Sequence, residues 1–488
     1  MRAPGAPRCG RSGRSAVWRN ARSKRSSSGD RWCTVNPRQG SITRLRKRIR
    51  ALPRGIVPLF VIRPPNKPTS VFAGYLAARN GSFSVRRARV EFGWYPRPQV
   101  RFGGTPSSQP TPAIVGPTDI ALGTPSSITG AKVIHAAFGS HPRVEGIANF
   151  LRIGQRRLVR SMRFHVANFH DYVGEPVRFN QSGHLTFSRS RLTLNAGDWV
   201  ARLDQSPSFQ QDQRTLTRYG GFLVGHAGEV VRRDGAPFWL HDASDFWSAL
   251  HFFLTFARGN WCGPIIPVGI GSRGQLWSEW GSWRINDWQG VQSWFPRLDT
   301  TGVSKAWEGF YDLWSRGAWN EPLRELVHWY TEANLNSGAL EGALVLSHTA
   351  LELLSWMVIV NDRKKVSAKN FQEHYDSAAR IRLALGTLRI PVQISSSLPE
   401  AAAFAARENA VDAPQLITLY RNSIVHPTPA KRARLARANH TTRFQILQLS
   451  QDLVELGLLA LFRYQGKYVS RVSAGTTVAD STRTVPWV

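Results

Sequence analysis

Arg421, Asn422 and His426 fall within six positions of one another at the end of an apolar run, Leu416 to Pro427, that reads LITLYRNSIVHP. A histidine moves a proton near neutral pH, and an arginine holds an oxyanion in a bidentate fork. Together they supply what cleavage of an RNA phosphodiester by its own 2′-hydroxyl requires, which is a base, charge neutralisation and a proton donor. No metal is needed for that chemistry. On a helix, residues five apart sit about 140° apart around the axis and one turn offset, so both groups can serve one phosphate. The pattern alone is not diagnostic, because an arginine followed after four to six residues by a histidine also occurs at Arg160/His165, Arg163/His170, Arg178/His184 and Arg434/His440. Context separates this pair: Asn422 directly after the arginine, an apolar helix before it and Pro427 behind. The alternative is a plain helix end, where cations are favoured in any case.

Helices must position this group. Leu340, Ala343, Leu344, Ser347, Ala350, Leu351, Leu354 and Val358 recur three and four apart and predict one long amphipathic helix. Ser367 is placed to cap a second helix carrying Phe371, Tyr375 and Ile381. The motif helix opens near Asp412-Ala413-Pro414, and a last one carries Phe444, Leu447, Val454, Leu458 and Leu461. With short links these make an antiparallel bundle over residues 331–470. The basic tract Lys431, Arg432, Arg434 and Arg437 follows the motif directly and suits an RNA backbone.

Ahead of the bundle the period changes. Residues 56–240 carry short alternating runs, among them Val57–Ile62, Arg89–Phe92, Arg160–Val166 and His184–Ser188, and predict a sandwich- or barrel-like β domain, and the two-part layout with the bundle suggests that this domain senses or regulates. A span rich in Gly, Pro, Ser and Thr, about 103–130, reads as loop. His165 and His170 near Asp171 read as a solvated strand end rather than a dyad. Residues 241–330 read as a helical joint rich in tryptophan, since Trp239 to Trp329 holds 12 of the 18 tryptophans. That density fits an aromatic core better than a base- or sugar-stacking surface. Residues 471–488 read as a frayed tail.

The net charge of +32 is unevenly spread: residues 1–54 hold 16 Lys/Arg against one acid, Asp30. Residues 1–55 are therefore expected to be a disordered basic extension. A transit peptide, a nucleic-acid-binding arm and an upstream start codon all remain open for it. Three cysteines without CxxC spacing argue against a zinc site and suit a reducing cytoplasm. No run approaches the ~18 to 20 apolar residues of a membrane span.

HTALELLSW in the long helix, RNSIVHP after it and LLALFRYQGKY at the end resemble the HEPN superfamily, above all its ApeA-like abortive-infection group of anti-phage defence proteins. The resemblance covers roughly residues 240–470. It implies an α+β multidomain chain: a β-rich N-terminal domain followed by an all-α HEPN-like bundle. It further implies a homodimer through the bundle and a metal-independent endoribonuclease without cofactor, answering to a phage-derived trigger. In that reading Arg421 stabilises the transition state, His426 is the acid or base, Asn422 orients the site and Glu352 is a further polar member. The alternative is a non-catalytic HEPN-like dimerisation or RNA-binding module.

Overall fold

The computed structural model describes residues 47–60, 65–107, 114–181, 183–473 and 481–488. The expectation for residues 1–46 lies outside them. Residues 47–55 are not a loose extension. Residues 47–51 are helical, and Pro53 and Gly55 then exchange backbone hydrogen bonds with Arg178.

Six strands close a barrel: β1 (Thr69–Ala78), β2 (Ser84–Gly93), β3 (Gln99–Gly104), β4 (Gly116–Leu122), β5 (Thr124–Ala137) and β6 (Arg143–Ala148), in the order β1-β2-β3-β6-β5-β4. Alternation makes it. Leu76, Val85, Val90, Phe92, Val100, Ile120, Val133 and Val144 point inward and are buried, while the residues between them face out. The span expected as loop therefore holds β4 and the first half of β5. Ile120 and Leu122 supply the two-residue period that the surrounding Gly and Thr obscure.

Eight more strands form an antiparallel sheet in the order β7-β14-β13-β8-β12-β11-β10-β9. They are β7 (Phe150–Gly154), β8 (Ser161–Ala167), β9 (Glu175–Gln181), β10 (His184–Ala196), β11 (Trp199–Gln205), β12 (Val224–Arg232), β13 (Pro264–Gly271) and β14 (Gly274–Gly281). The β10–β11 hairpin turns on two residues between the facing pair Ala196 and Trp199, and Gly197 takes the positive φ (52°) that such a turn demands. One face of the sheet, with Met162, Phe164, Leu192, Leu194 and Val230, packs into the helices. On the other face Ile265, Val268 and Trp280 share a core with the barrel interior, and Arg163, Glu229 and Arg202 form an ion-paired ladder (3.0 and 3.8 Å).

The expected helical joint over 241–330 is corrected in part. Helix Ser244–Arg258 lies where the periodicity places it, but β13 and β14 follow it inside the sheet. The run PIIPVGIG carries two prolines and two glycines, which mark loops from sequence. Here Gly269 leaves the space that the Trp277 ring fills, since a Cβ there would stand 2.2 Å from it. Trp261, Trp277, Trp280, Trp294, Trp307, Trp314 and Trp319 are buried, and Trp239 alone of the twelve is exposed. The tryptophans are thus core.

Helices Thr300–Trp314, Gly317–Asn334, Ala339–Trp356, Ala368–His374, Ser377–Thr387, Pro399–Arg407, Ala413–Val425, Pro429–Arg437 and His440–Leu461 complete the chain. Side chains of Ser367, Asp376, Asp412, Thr428 and Asn439 accept from backbone N–H groups and cap five of them. Asp376 splits the helix expected after Ser367 into two. Ala339–Asp362 is the one helix among the described residues long and apolar enough to cross a membrane, and 61% of its most apolar stretch is buried in the protein.

The described tail residues, 471–473 and 481–488, are anchored rather than frayed. Arg471, 2% exposed at its side chain, donates to Glu455 Oε1 (2.8 Å), Tyr330 Oη (3.3 Å) and the Gln292 carbonyl (2.9 Å). Beside it, Asp452 Oδ1 accepts from the Arg471 N–H (2.8 Å) and Ser470 Oγ (3.2 Å). Strand β15 (Lys467–Val469) pairs with β16 (Thr482–Thr484), and Trp487 Nε1 donates to the Tyr464 carbonyl at 2.7 Å.

Candidate active site at the end of the motif helix

The helix Ala413–Val425 is set by Asp412, whose carboxylate accepts from Gln415 N–H (2.9 Å) and pairs with Arg382. Leu416, Ile417 and Tyr420 bury one side of it. The helix stops at Val425, and His426 leaves it with φ −127° and ψ 71°, because a residue before proline is pushed out of the helical region. His426 therefore does not continue the helical spiral from Arg421. Its ring is exposed and makes no hydrogen bond among the described residues. Arg421 is half-buried; one Nη donates to Asn422 Oδ1 (3.0 Å), and its Nε is buried without a partner among the described residues.

Arg421 faces the long helix Ala339–Trp356. There His348, wholly buried, turns Nε2 to the hydroxyls of Ser377 (3.0 Å) and Thr418 (3.3 Å), the latter on the motif helix. Its Nδ1 stands 3.5 Å from Glu352 Oε2, one turn along, too far for a strong hydrogen bond. Burial pushes the imidazole down to about 4 although Glu352 pulls it up, and the charge of Arg421 lowers it further. The ring is neutral at pH 7, and a proton on Nδ1 faces Glu352. The Glu352 side chain is one-third exposed.

Thr418 and His348 thus join the motif helix to the long helix, with the Arg421 charge felt at the His348 ring and Glu352 one turn further along. His348 is the residue that sequence reading missed. Its four-residue spacing to Glu352 was visible in HTALE, but its contact with Thr418, 70 residues on, was not. The arrangement offers a guanidinium with an uncommitted Nε, a carboxylate and, at the helix exit, a solvent-facing imidazole.

The basic tract divides. Arg434 and Arg437 both donate to Glu408, whose side chain is 6% exposed, at 2.8 and 2.7 Å, and Arg434 also reaches Ser423 Oγ (3.2 Å). These two arginines hold the helix Pro429–Arg437 in place. Lys431 and Arg432 have no side-chain partner among the described residues, so they are the part of the expected RNA-binding set that remains free. His165 and His170 are likewise corrected: both are buried, His165 because β8 is an inner strand and His170 in the segment that follows it. His165 Nε2 accepts from the N–H groups of Leu59 (3.1 Å) and Phe60 (3.3 Å), His170 Nε2 lies 3.2 Å from Ser293 Oγ, and Asp171 pairs with Arg297 at 2.9 Å.

Comparison with known proteins follows the same architecture. Residues 154–291 match the family model of the YopA central domain. Residues 316–482 match that of the YopA C-terminal domain. The YopA central match covers the eight-stranded sheet almost strand for strand, and the YopA C-terminal match holds the candidate site. An SPbeta prophage-derived uncharacterized protein YopA of Bacillus subtilis (strain 168) is 27% identical over 334 residues, 67% of this chain and 72% of the relative. No solved structure matches.

Proposed function

We propose that the chain is a metal-independent endoribonuclease of bacterial defence, built on a HEPN-like helical bundle and acting in the cytoplasm. The observation that carries the reading is a half-buried Arg421 bonded to Asn422, on a helix that packs through Thr418 onto the His348 and Glu352 of its neighbour and that ends in an exposed His426. In the reaction His426 takes the proton from the ribose 2′-hydroxyl, and the 2′-oxygen attacks phosphorus. The P–O5′ bond breaks and O5′ receives a proton, leaving a 2′,3′-cyclic phosphate and a 5′-hydroxyl. Arg421 neutralises the phosphorane, where a fork donor is worth most. Asn422, bonded to an Arg421 Nη, fixes the direction of that fork. Glu352, oriented by neutral His348, accepts from a ribose or base donor.

Two copies joined through their bundles would bring two such histidines to one strand, so that one acts as base and the other as acid. The prophage origin of the Bacillus relative fits a gene that travels with phages, and a phage-derived component is the natural trigger.

The test is induced expression of the parent chain, Arg421→Ala and His426→Ala during phage challenge, with total RNA run on gels and cleaved ends mapped in EDTA. RNA fragments bearing 2′,3′-cyclic phosphates that disappear in both variants are expected. Identical RNA from all three chains, induced and challenged, leaves the second reading, a non-catalytic dimerisation or RNA-binding module on the same fold.

A further inference from the structure

The outer wall of the barrel carries a second basic feature. A cleft of about 1160 Å³ crosses β2, β3 and β6. That is larger than the ~300–1,000 Å³ usual for a small-molecule pocket. Register explains its shape. Arg89 faces Gly103 across β2–β3, and Gly103 faces Glu145 across β3–β6. With no side chain at its middle position that row is low, and a Cβ on Gly103 would already touch the Glu145 side chain at 3.3 Å. Glycine makes the floor.

Arginine makes the sides. Arg87 and Arg89 alternate with the buried Ala88 and Val90, so both project outward, about 7 Å apart along the strand. Arg97, Arg101 and Arg143 also line the cleft, against Glu91 and Glu145 as the only carboxylates among the described lining residues. Arg143 is paired to Glu145 (2.6 Å), and Arg101 is held by the Tyr95 carbonyl. Arg87, Arg89 and Arg97 have no partner among the described residues, and all three are exposed.

We infer that this cleft binds a single strand of RNA along its phosphates. Guanidinium forks match phosphate oxygens, and their repeat along one strand suits a ligand with repeating anions. The recessed glycine floor admits one chain, whereas a stiff duplex would bridge across it. Phe102 is buried and His141 is the one exposed aromatic ring among the described lining residues, so the cleft offers no Phe, Tyr or Trp platform and holds the backbone more than the bases. The tract beside the candidate active site has two of its four cations locked onto Glu408 and keeps one free guanidinium, Arg432, whereas the barrel cleft gathers three. The inference goes beyond the cleavage reading and does not depend on it, since a chain that never cleaves still binds here.

Fluorescence anisotropy tests it, using the full chain with Arg421→Ala and His426→Ala as the parent and a labelled mixed-sequence RNA of about 20 nucleotides between roughly 50 and 200 mM salt. Changing Arg87, Arg89 and Arg97 together to Gln is expected to weaken binding at least about tenfold and to reduce the log–log salt slope by about 2, at ~0.7 per lost phosphate contact. Gly103→Val, which fills the floor without altering charge, is expected to weaken binding as well, and Lys431→Gln with Arg432→Gln to change it less than either. Unchanged melting temperatures show that these variants remain folded. The inference is overturned if the parent does not bind, if the triple variant binds as the parent does, or if a nucleoside triphosphate at micromolar concentration displaces the strand, which would make the cleft a nucleotide pocket.

Discussion

Asp452 and Glu455 stand one turn apart inside the closing helix, 3% and 0% exposed, and Arg471 is the cation between them. Burial, with the Glu455 charge added and the Arg471 and Ser470 hydrogen bonds opposing, pushes the Asp452 carboxyl from 3.8 up to about 7. A raised folded-state pKa makes this group's contribution to stability complete below about 3.8 and lost as pH climbs through about 7. At ~1.4 kcal/mol per unit, the loss between pH 5 and pH 8 is about 3 kcal/mol. Whole-protein stability hides it, because His165, His251 and His348 are pushed down to about 4 and His226 to about 3. Those groups remove stability in the opposite direction, as pH falls below about 6.5. Comparing the parent with Asp452→Asn cancels the histidines and isolates the carboxyl, and asparagine keeps the Oδ1 that accepts from Arg471 and Ser470. Urea unfolding of the bundle, followed by hydrogen exchange of the closing helix at pH 5 to 8, should show the variant gaining about 3 kcal/mol on the parent across that range. A difference that stays constant with pH, or one that grows toward acid, would show that Asp452 is already ionised in the folded protein.

Two further outcomes follow from close contacts. Gly309 on helix Thr300–Trp314 lies against the Phe462 carbonyl, so a Cβ there would stand 1.9 Å from that oxygen. Gly309→Ala should cost about 1–3 kcal/mol by overpacking, read as a lower thermal midpoint, and an unchanged midpoint would mean the two segments are not packed this closely. Arg421→Gln removes a positive charge beside His348, so the His348 ring should titrate higher than about 4 by NMR, while an unaltered titration would separate the two residues in space.

The helical half of the chain was legible because its signals are local. Ser367 and Asp412 cap helices at the expected positions, and the three-and-four spacing of Leu344, Ser347, Leu351 and Leu354 marks the buried stripe of the long helix. What stayed hidden depends on partners distant in sequence. Gly269 is a strand residue because Trp277 fills the space beside it, and Arg471 is ordered because Glu455 and Tyr330 wait for it. Within the candidate site, Arg421, Asn422 and His426 could be named from one short run, but not that Pro427 would swing His426 off the helix. The basic tract looked uniform because sequence does not show Glu408 lying beneath two of its arginines.

The shared sheet also limits how the chain can be divided. A fragment cut at the borders of the YopA central match, 154–291, would keep Trp247 of helix Ser244–Arg258 on Phe164, but would lose the helix Thr300–Trp314 that lies along β10 beside Leu192 and Leu194 on one side and would carry Ile265, Val268 and Trp280 bare on the other. Each apolar face left uncovered is a surface on which unlike molecules gather, and antiparallel strands with free edges compound it. Neither the barrel nor the bundle is a detachable accessory of the middle layer. They are its two lids, and a separately produced piece is expected to aggregate where the whole chain does not.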